Sequence, residues 1–118
     1  MTPLHTTKEI GRIGERIAAR YLKRHGYRIL KRNLHCGKNE LDILAKNRQY
    51  LVFVEVKTRK NQSYLPASAA VGREKQRRIT ASAMQWIAEN ESRDQFSFDI
   101  IEVYTEDKTI RHIQNAFV

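Results

Sequence analysis

An apolar run that two charged residues interrupt constrains the fold of this chain more than any other feature. Residues 50–58 read Tyr-Leu-Val-Phe-Val-Glu-Val-Lys-Thr and are rich in β-branched and aromatic side chains, which predicts a β-strand. Successive side chains of a strand point to opposite faces, so Glu55 and Lys57 share one face while the three nearby valines share the other, apolar face. The run therefore predicts a charged cluster on one face of a sheet.

The preceding predicted strand, Leu41–Ala45, brings a second carboxylate to the same place. If the two strands form a hairpin with an even-length turn, Asp42 lies directly opposite Glu55, and Glu40 lies opposite Lys57. Directly opposed residues have Cβ atoms about 4.5–5.5 Å apart, and two carboxylates that close repel each other unless a cation compensates. The pair can hold one divalent cation. Ordinary cross-strand ion pairs with Lys57 are the alternative that spacing alone leaves open.

The remaining elements follow from hydrophobic periodicity and turn residues. The predicted elements are helices from Thr7 to about His25 and from about Arg73 to Ala88, and strands at 27–34, 41–45, 50–58, 96–104 and 109–117. This order, αβββαββ, predicts an α/β fold with a mixed central sheet flanked by helices, in one domain that spans residues 1–118. Residues 60–70 form the one predicted mobile loop.

Two helical residues are predicted to point toward the carboxylate pair. Glu15 falls at the margin of the apolar stripe of the first helix, so it lies along the seam between that helix and the core. Gln76 lies one turn before Ile79 on the second helix and therefore faces the core side. Their inward placement favours a functional cluster over plain ion pairs.

The net charge of +9 is distributed unevenly along the chain. The first 78 residues hold 19 basic and 6 acidic side chains, whereas the last 40 hold 3 basic and 7 acidic ones. A positive field of this kind predicts nucleic acid, and secondarily an anionic membrane, as the partner. The basic residues predicted to contact the nucleic-acid backbone are Arg12, Arg16, Arg20, Arg59, Lys60, Lys75, Arg77 and Arg78. For the three arginines of the first helix, a solvated helix face is the alternative.

Several classes of protein are excluded by composition. No apolar run approaches the roughly 18 residues of a membrane span, and no signal-peptide pattern follows the first residues, so we expect a cytoplasmic protein without a membrane partner. The single cysteine cannot form an internal disulfide, and together with four histidines it cannot build the usual four-ligand zinc site.

Five segments taken together resemble a known family. They read Gly-Arg-Ile-Gly-Glu at 11–15, Asn-Glu-Leu-Asp-Ile-Leu at 39–44, Val-Phe-Val-Glu-Val-Lys-Thr-Arg at 52–59, Lys-Gln-Arg-Arg-Ile at 75–79 and Phe-Asp-Ile-Ile at 98–101. This combination resembles the YraN-like family of small bacterial proteins. That family is similar in fold to the restriction-endonuclease-like nucleases, including archaeal Holliday-junction resolvases, whose loose signature is an Asp followed by Glu-x-Lys.

The resemblance implies roles for individual residues. Asp42, Glu55 and Lys57 match the metal and catalytic positions, with Glu15 as an additional helix-borne acid and Gln76 as a frequent helper. For a metal-dependent reaction, the ligands of a Mg²⁺ or Mn²⁺ ion would be the two strand carboxylates and the backbone carbonyl of Val56, joined by Glu15.

The resemblance also implies an activity. We expect a Mg²⁺-dependent endonuclease that hydrolyses phosphodiester bonds in DNA, with branched DNA as a candidate substrate, for which a homodimer would be a natural assembly. The alternative is a catalytically inactive nucleic-acid-binding module of the same fold. A structural protein whose carboxylates form only ion pairs is the third reading.

Overall fold

The chain folds into two helices and five strands in a computed structural model that describes residues 6–36, 39–61 and 71–117. The elements are α1 (Thr7–Arg24), β1 (Arg28–Cys36), β2 (Asn39–Lys46), β3 (Leu51–Arg59), α2 (Arg73–Glu89), β4 (Phe96–Tyr104) and β5 (Thr109–Ile113). The predicted αβββαββ order is confirmed. Most of the predicted mobile loop, residues 62–70, lies outside the described residues. Neither of the two described helices is long and apolar enough to cross a lipid bilayer.

The five strands form one open, mixed sheet in the order β1-β2-β3-β4-β5. β3 lies at its centre and pairs antiparallel with β2 but parallel with β4, because the connection through α2 returns the chain to the same end of the sheet. Phe53 packs in one core cluster with Ile79 of α2, whereas Val52 and Val54 pack in a second cluster with Leu22 of α1. The predicted alternation of β3 is thus confirmed, and Glu55 shares the face of Phe53.

Some strand ends differ from the expected boundaries. β1 and β2 extend toward each other beyond the predicted ends, because their backbones stay paired as far as Cys36 opposite Asn39. β5 ends earlier than residue 117. Asn115 adopts a φ of 50°, which breaks the extended conformation, and its N–H donates to Asp99 Oδ1 at 3.1 Å.

The first helix is anchored at its start and at one close contact with the sheet. Its N-cap is Thr6, whose Oγ1 accepts the N–H of Glu9 at 3.1 Å. At Gly14 the helix approaches the end of β3 so closely that a Cβ there would lie 1.8 Å from Thr58 Oγ1. Only glycine permits this approach, which places the next residue, Glu15, beside the end of β3.

A buried polar network ties α1 to β4 and β5. Asp99 is 2% exposed, accepts a hydrogen bond from Ser97 Oγ at 2.5 Å and lies 2.6 Å from His112 Nε2. The other ring nitrogen of His112 lies 3.1 Å from the Tyr21 hydroxyl. Burial, followed by the nearby Tyr27 and Asp99, raises the pKa of Tyr21, which keeps this hydroxyl protonated. Each polar group of the network has a partner, as a stable buried network requires.

Gly14→Ala should lower the free energy of unfolding by about 2 kcal/mol, because the added methyl group would overlap Thr58 and push α1 away from β3. Gly11→Ala is the matched control. No atom lies within 4 Å of a Cβ at position 11, so higher helix propensity should stabilise that variant by about 0.5–1 kcal/mol. Urea denaturation measures both effects. A Gly14→Ala variant as stable as the wild type would contradict the close approach of α1 to β3.

Candidate functional site

A cleft of about 420 Å³ opens beside the end of β3, between the start of α1 and the start of α2. The residues that line it are Lys8, Gly11, Arg12, Glu15, Asn33, Glu40, Asp42, Glu55, Val56, Lys57 and Lys75. Four carboxylates and four basic side chains therefore meet here. The structure brings together all the acidic residues that the sequence predicts for the site.

The hairpin of β2 and β3 places Asp42 where the sequence predicts it. The strands pair in the predicted register as far as Ile43 opposite Val54, and Asp42 lies just beyond the last paired residue, next to the position expected opposite Glu55. At this position the Asp42 side chain turns to the backbone of β3, and its Oδ2 accepts the N–H of Val56 at 2.8 Å. The carboxylate of Asp42 is thus fixed next to the residue whose carbonyl we predict as a metal ligand.

Burial and neighbouring carboxylates raise the pKa of Asp42 to about 8. Burial is the largest cause, and the negative charge of Glu55 is the next. The hydrogen bond from Val56 lowers the pKa, but Glu15 raises it again through its charge and a hydrogen bond. Burial next to Glu55 and Glu15 therefore disfavours the charged form of the Asp42 carboxyl.

Glu15 is held at the cleft by a neighbour on β1. When the side-chain amide of Asn33 is oriented with its nitrogen toward the carboxylates, that nitrogen donates to Glu15 Oε1 at 3.1 Å and to Glu40 Oε1 at 3.2 Å. Asn33 adopts a φ of 52°, in the left-handed region that Asn tolerates better than most residues. This bridge gives Glu40, whose role the sequence leaves open, a part in positioning Glu15.

Two ammonium groups compensate the buried carboxylate of Glu55, whose side chain is 5% exposed. Lys75 Nζ lies 2.5 Å from Glu55 Oε1, and Lys57 Nζ lies 3.6 Å from the same oxygen. The pairing of Lys57 follows from strand alternation. The contact from Lys75 was missed by sequence reasoning, which assigned this residue to the outer, backbone-gripping surface.

The pKa values of the two lysines shift in opposite directions. Burial, followed by a contact with Lys75 and its charge, lowers the pKa of Lys57. Burial also tends to lower the pKa of Lys75, but the hydrogen bond and charge of Glu55 outweigh it and the pKa rises. Lys75 is therefore the permanent cation of the pair, and Lys57 is the one that gives up a proton more readily.

Gln76 does not line this cleft. Its Nε2 donates to the carbonyl of Val71 at 2.8 Å, and its side chain borders a separate depression on α2 with Arg73 and Arg77. Gln76 therefore helps to fix the start of α2, where its N–H also donates to Gly72 O at 2.9 Å. Its role as a catalytic helper stays a prediction.

The predicted backbone-gripping residues divide into three groups. Arg12 and Lys75 line the cleft, whereas five others are exposed and do not line it: Arg16, Arg20, Lys60, Arg77 and Arg78. Arg59 differs from both groups because its Nε lies 3.6 Å from an oxygen of Glu102, which is fully buried on β4. The guanidinium of Arg59 thus already has an anionic partner inside the protein.

The donor set of the cleft suits a hard divalent cation. Asp42 and Glu55 offer carboxylate oxygens and Val56 a carbonyl oxygen, which are the ligands that Mg²⁺ and Mn²⁺ prefer. Burial and the neighbouring Glu55 raise the pKa of Asp42, and a bound cation would favour its charged form. Within residues 6–36, 39–61 and 71–117, no three His, Cys, Asp or Glu side chains already converge on one point. Two carboxylates, those of Asp42 and Glu55, are thus suited to bind a cation, and Glu55 is already in contact with Lys75.

A second cleft, of about 330 Å³, lies at the other end of β3. Its one charged lining residue is Asp99, which is already hydrogen-bonded to Ser97 and to the N–H of Asn115. Its other lining side chains are neutral. Among the described residues that line it, this cleft therefore has neither an unpaired carboxylate that could bind a metal ion nor a basic side chain that could bind a phosphate.

Asp42→Asn should stabilise the protein increasingly as pH rises from about 4 to about 8. The folded protein keeps the Asp42 proton up to about pH 8, whereas the unfolded chain loses it near the ordinary value of 3.8, so folding loses stability across this window. Asparagine carries no charge and avoids that loss. We expect a gain of about 2 kcal/mol at pH 8.5 and almost none at pH 4, measured by urea denaturation.

Asp107→Asn, on an exposed turn, is the matched control and should change stability by under about 0.5 kcal/mol at both pH values. A gain for Asp42→Asn that does not vary with pH would contradict the raised pKa.

Arg59→Met should lower the free energy of unfolding by about 3 kcal/mol, because it leaves the carboxylate of Glu102 buried without its cation. Adding Glu102→Gln should recover part of the loss, since no buried charge remains. Arg16→Met, on an exposed face, is the control and should cost under about 0.5 kcal/mol. Equal stability of the Arg59 and Arg16 variants in urea denaturation would argue against the buried pair.

Comparison with known proteins places the chain in a family. Residues 14–103 match the family described as "Uncharacterised protein family UPF0102". A UPF0102 protein of Pelobacter propionicus is 46% identical over 116 residues, covering 93% of this chain and 83% of that protein. UPF0102 proteins of Geobacter metallireducens and Clostridium botulinum are 42% and 40% identical and are covered to 93% and 97%. The predicted YraN-like resemblance is confirmed, and the chain belongs to the UPF0102 family.

Proposed function

We propose that this protein is a metal-dependent endonuclease that hydrolyses phosphodiester bonds of DNA, including branched DNA, in the cleft at the end of β3. The observation that carries the proposal is the meeting of Asp42 and Glu55 with the ammonium of Lys57, 3.6 Å from Glu55, in a basic surface. The resemblance to restriction-endonuclease-like nucleases supports the same assignment.

The cation would be Mg²⁺ or Mn²⁺, held by the carboxylates of Asp42 and Glu55 and the carbonyl of Val56, with Glu15 nearby. When bound, such a cation polarises a phosphoryl oxygen and neutralises the charge that develops on it. Asp42 contributes by its fixed position, since the N–H of Val56 holds its carboxylate. Asn33 holds Glu15 in the same way.

Lys57 is suited to handle the proton of the attacking water. Its lowered pKa increases the fraction of neutral amine near neutral pH, and a neutral amine at Nζ accepts a proton. In its protonated form, the same group orients a water molecule and stabilises negative charge on the phosphate. The strand fixes its position, because Lys57 lies two residues from Glu55 on the same face.

The surrounding basic residues would bind the sugar-phosphate backbone. Arg12 lines the cleft, and Arg16 and Arg20 continue along the exposed face of α1. Contacts of this kind give affinity without base specificity and weaken steeply as salt concentration rises. Because no base-reading motif accompanies them, we propose selection of the shape of the DNA over its sequence.

A nucleic-acid-binding module without catalysis is the second candidate, and one observation favours it. Lys75 and Lys57 already neutralise Glu55 in the absence of metal. A protein that uses its lysines in this way needs no cation for stability. The module would bind nucleic acid in a salt-sensitive way that EDTA does not change.

Cleavage of end-labelled DNA separates the two candidates. The wild type should nick a four-way junction with Mg²⁺ or Mn²⁺ and should act less on a linear duplex of matched sequence. Asp42→Ala and Glu55→Ala should each abolish cleavage, because each removes a cation ligand, while junction affinity in gel shifts stays within about threefold.

Asp107→Ala, which changes an exposed turn far along the chain from the cleft, is the control and should cleave like the wild type. Equal cleavage by the wild type and both cleft variants would point to a contaminating nuclease. Binding without cleavage under all metal conditions would support the second candidate.

A further inference from the structure

The partner of the buried Glu55 carboxylate comes from a different element and is itself half exposed. Lys75, in the first turn of α2, reaches 2.5 Å from Glu55 Oε1, although 43% of its own side chain is exposed. Lys57, the neighbour on the same strand, stays 3.6 Å away. Among the described residues, the closest cation to Glu55 is therefore a long, partly solvated side chain that α2 supplies.

A carboxylate oxygen in contact with an ammonium group is not available to a divalent cation at the same place. Two positive charges within a few ångström repel strongly in a partly buried cleft, where solvent screens them poorly. A divalent cation on this carboxylate would require the Lys75 ammonium to leave.

Lys75 can leave without moving the helix. The start of α2 is fixed by the N–H of Gln76, which donates to Gly72 O at 2.9 Å, and by the Gln76 side chain on Val71 O. The four methylene groups of lysine give the ammonium several ångström of reach from a fixed backbone. Since the side chain borders the open cleft, rotation carries the ammonium toward solvent and toward a bound phosphate.

We propose that Lys75 is an internal cation that competes with the divalent cation for Glu55 and, once displaced, contacts a phosphate of the nucleic acid. This inference rests on the proposed function, since it assumes that Asp42 and Glu55 bind a cation. It makes Lys75 a residue that couples the two ligands: cation binding frees the ammonium for the phosphate, and phosphate binding draws it away from Glu55. Each ligand then strengthens the binding of the other by the same factor.

Mn²⁺ binding to the metal-free protein tests the competition directly. Lys75→Met keeps the length of the side chain but removes its charge, so we expect it to bind Mn²⁺ about tenfold more tightly than the wild type, measured from the electron paramagnetic resonance signal of free Mn²⁺ at fixed pH and salt. Lys23→Met, at the exposed far end of α1, removes the same charge and should leave the affinity unchanged. Lys75→Arg keeps a cation and should bind no more tightly than the wild type.

Binding of a four-way junction measures the coupling, with Ca²⁺ as a hard cation in place of Mn²⁺ so that binding can be read apart from cleavage. Ca²⁺ should strengthen junction binding by the wild type about tenfold and by Lys75→Met at most about twofold. Thermal unfolding of each variant confirms that it is folded, and Lys75→Gln replaces Lys75→Met if the latter is not.

The outcomes separate this inference from the proposed function. Equal or weaker Mn²⁺ affinity in Lys75→Met, with clear binding by the wild type, would overturn the competition and leave the cation site intact. Absence of Mn²⁺ binding by both proteins would overturn the cation site and the competition together. Tighter binding by Lys75→Met with full Ca²⁺ coupling to the junction would overturn the role of Lys75 at the phosphate.

Discussion

Burial of the Glu55 carboxylate in the central strand is the constraint on which the rest of the site depends. A charge that is 95% removed from solvent must be paired, and the chain supplies Lys57 from the same strand and Lys75 from α2. Asp42, on the neighbouring strand, is itself largely buried and lies close to the charge of Glu55, so its pKa rises. The cleft thus brings two carboxylates and two lysines together, and the ion pairs within this group are those of Glu55.

Buried polar groups in two parts of the sheet differ in how they are paired. On the α1 face, Asp99 satisfies its oxygens with Ser97, His112 and a backbone N–H, so this network serves the fold. At the end of β3, burial and the nearby Glu55 and Glu15 raise the pKa of Asp42, and Glu55 is paired with lysines beside an open cleft. Groups held in such a state are costly for stability, which is characteristic of sites that act on a ligand. The contrast supports the assignment of the site to the end of β3.

Strand residues of the site could be predicted from the sequence, because a period of two assigns every side chain of a strand to one of two faces. Glu55 and Lys57 are positioned as that rule predicts, and Asp42 joins them through its hydrogen bond from Val56. Positions on the first turn of α2 could not be assigned in this way. The first buried apolar residue of that helix is Ile79, one turn later, so periodicity does not define which way the side chains of the first turn point. Gln76 was expected to face the carboxylates and Lys75 the outer surface. Instead, Lys75 contacts Glu55, and Gln76 donates to the carbonyl of Val71.

Arg59 was beyond prediction for another reason. Its partner, Glu102, lies 43 positions later on β4, and only the parallel pairing of β3 with β4 brings the two together.

The close contact of Gly14 in α1 with β3 has a consequence for the cleft. Gly14 is the point of close approach to β3, and Glu15 lies about 1.5 Å from it along the helix axis, whereas Arg20 lies about 9 Å away. The contact that holds α1 against β3 therefore also sets the position of Glu15 at the cleft, whereas Arg20 lies on the exposed side of the helix, more than one turn away.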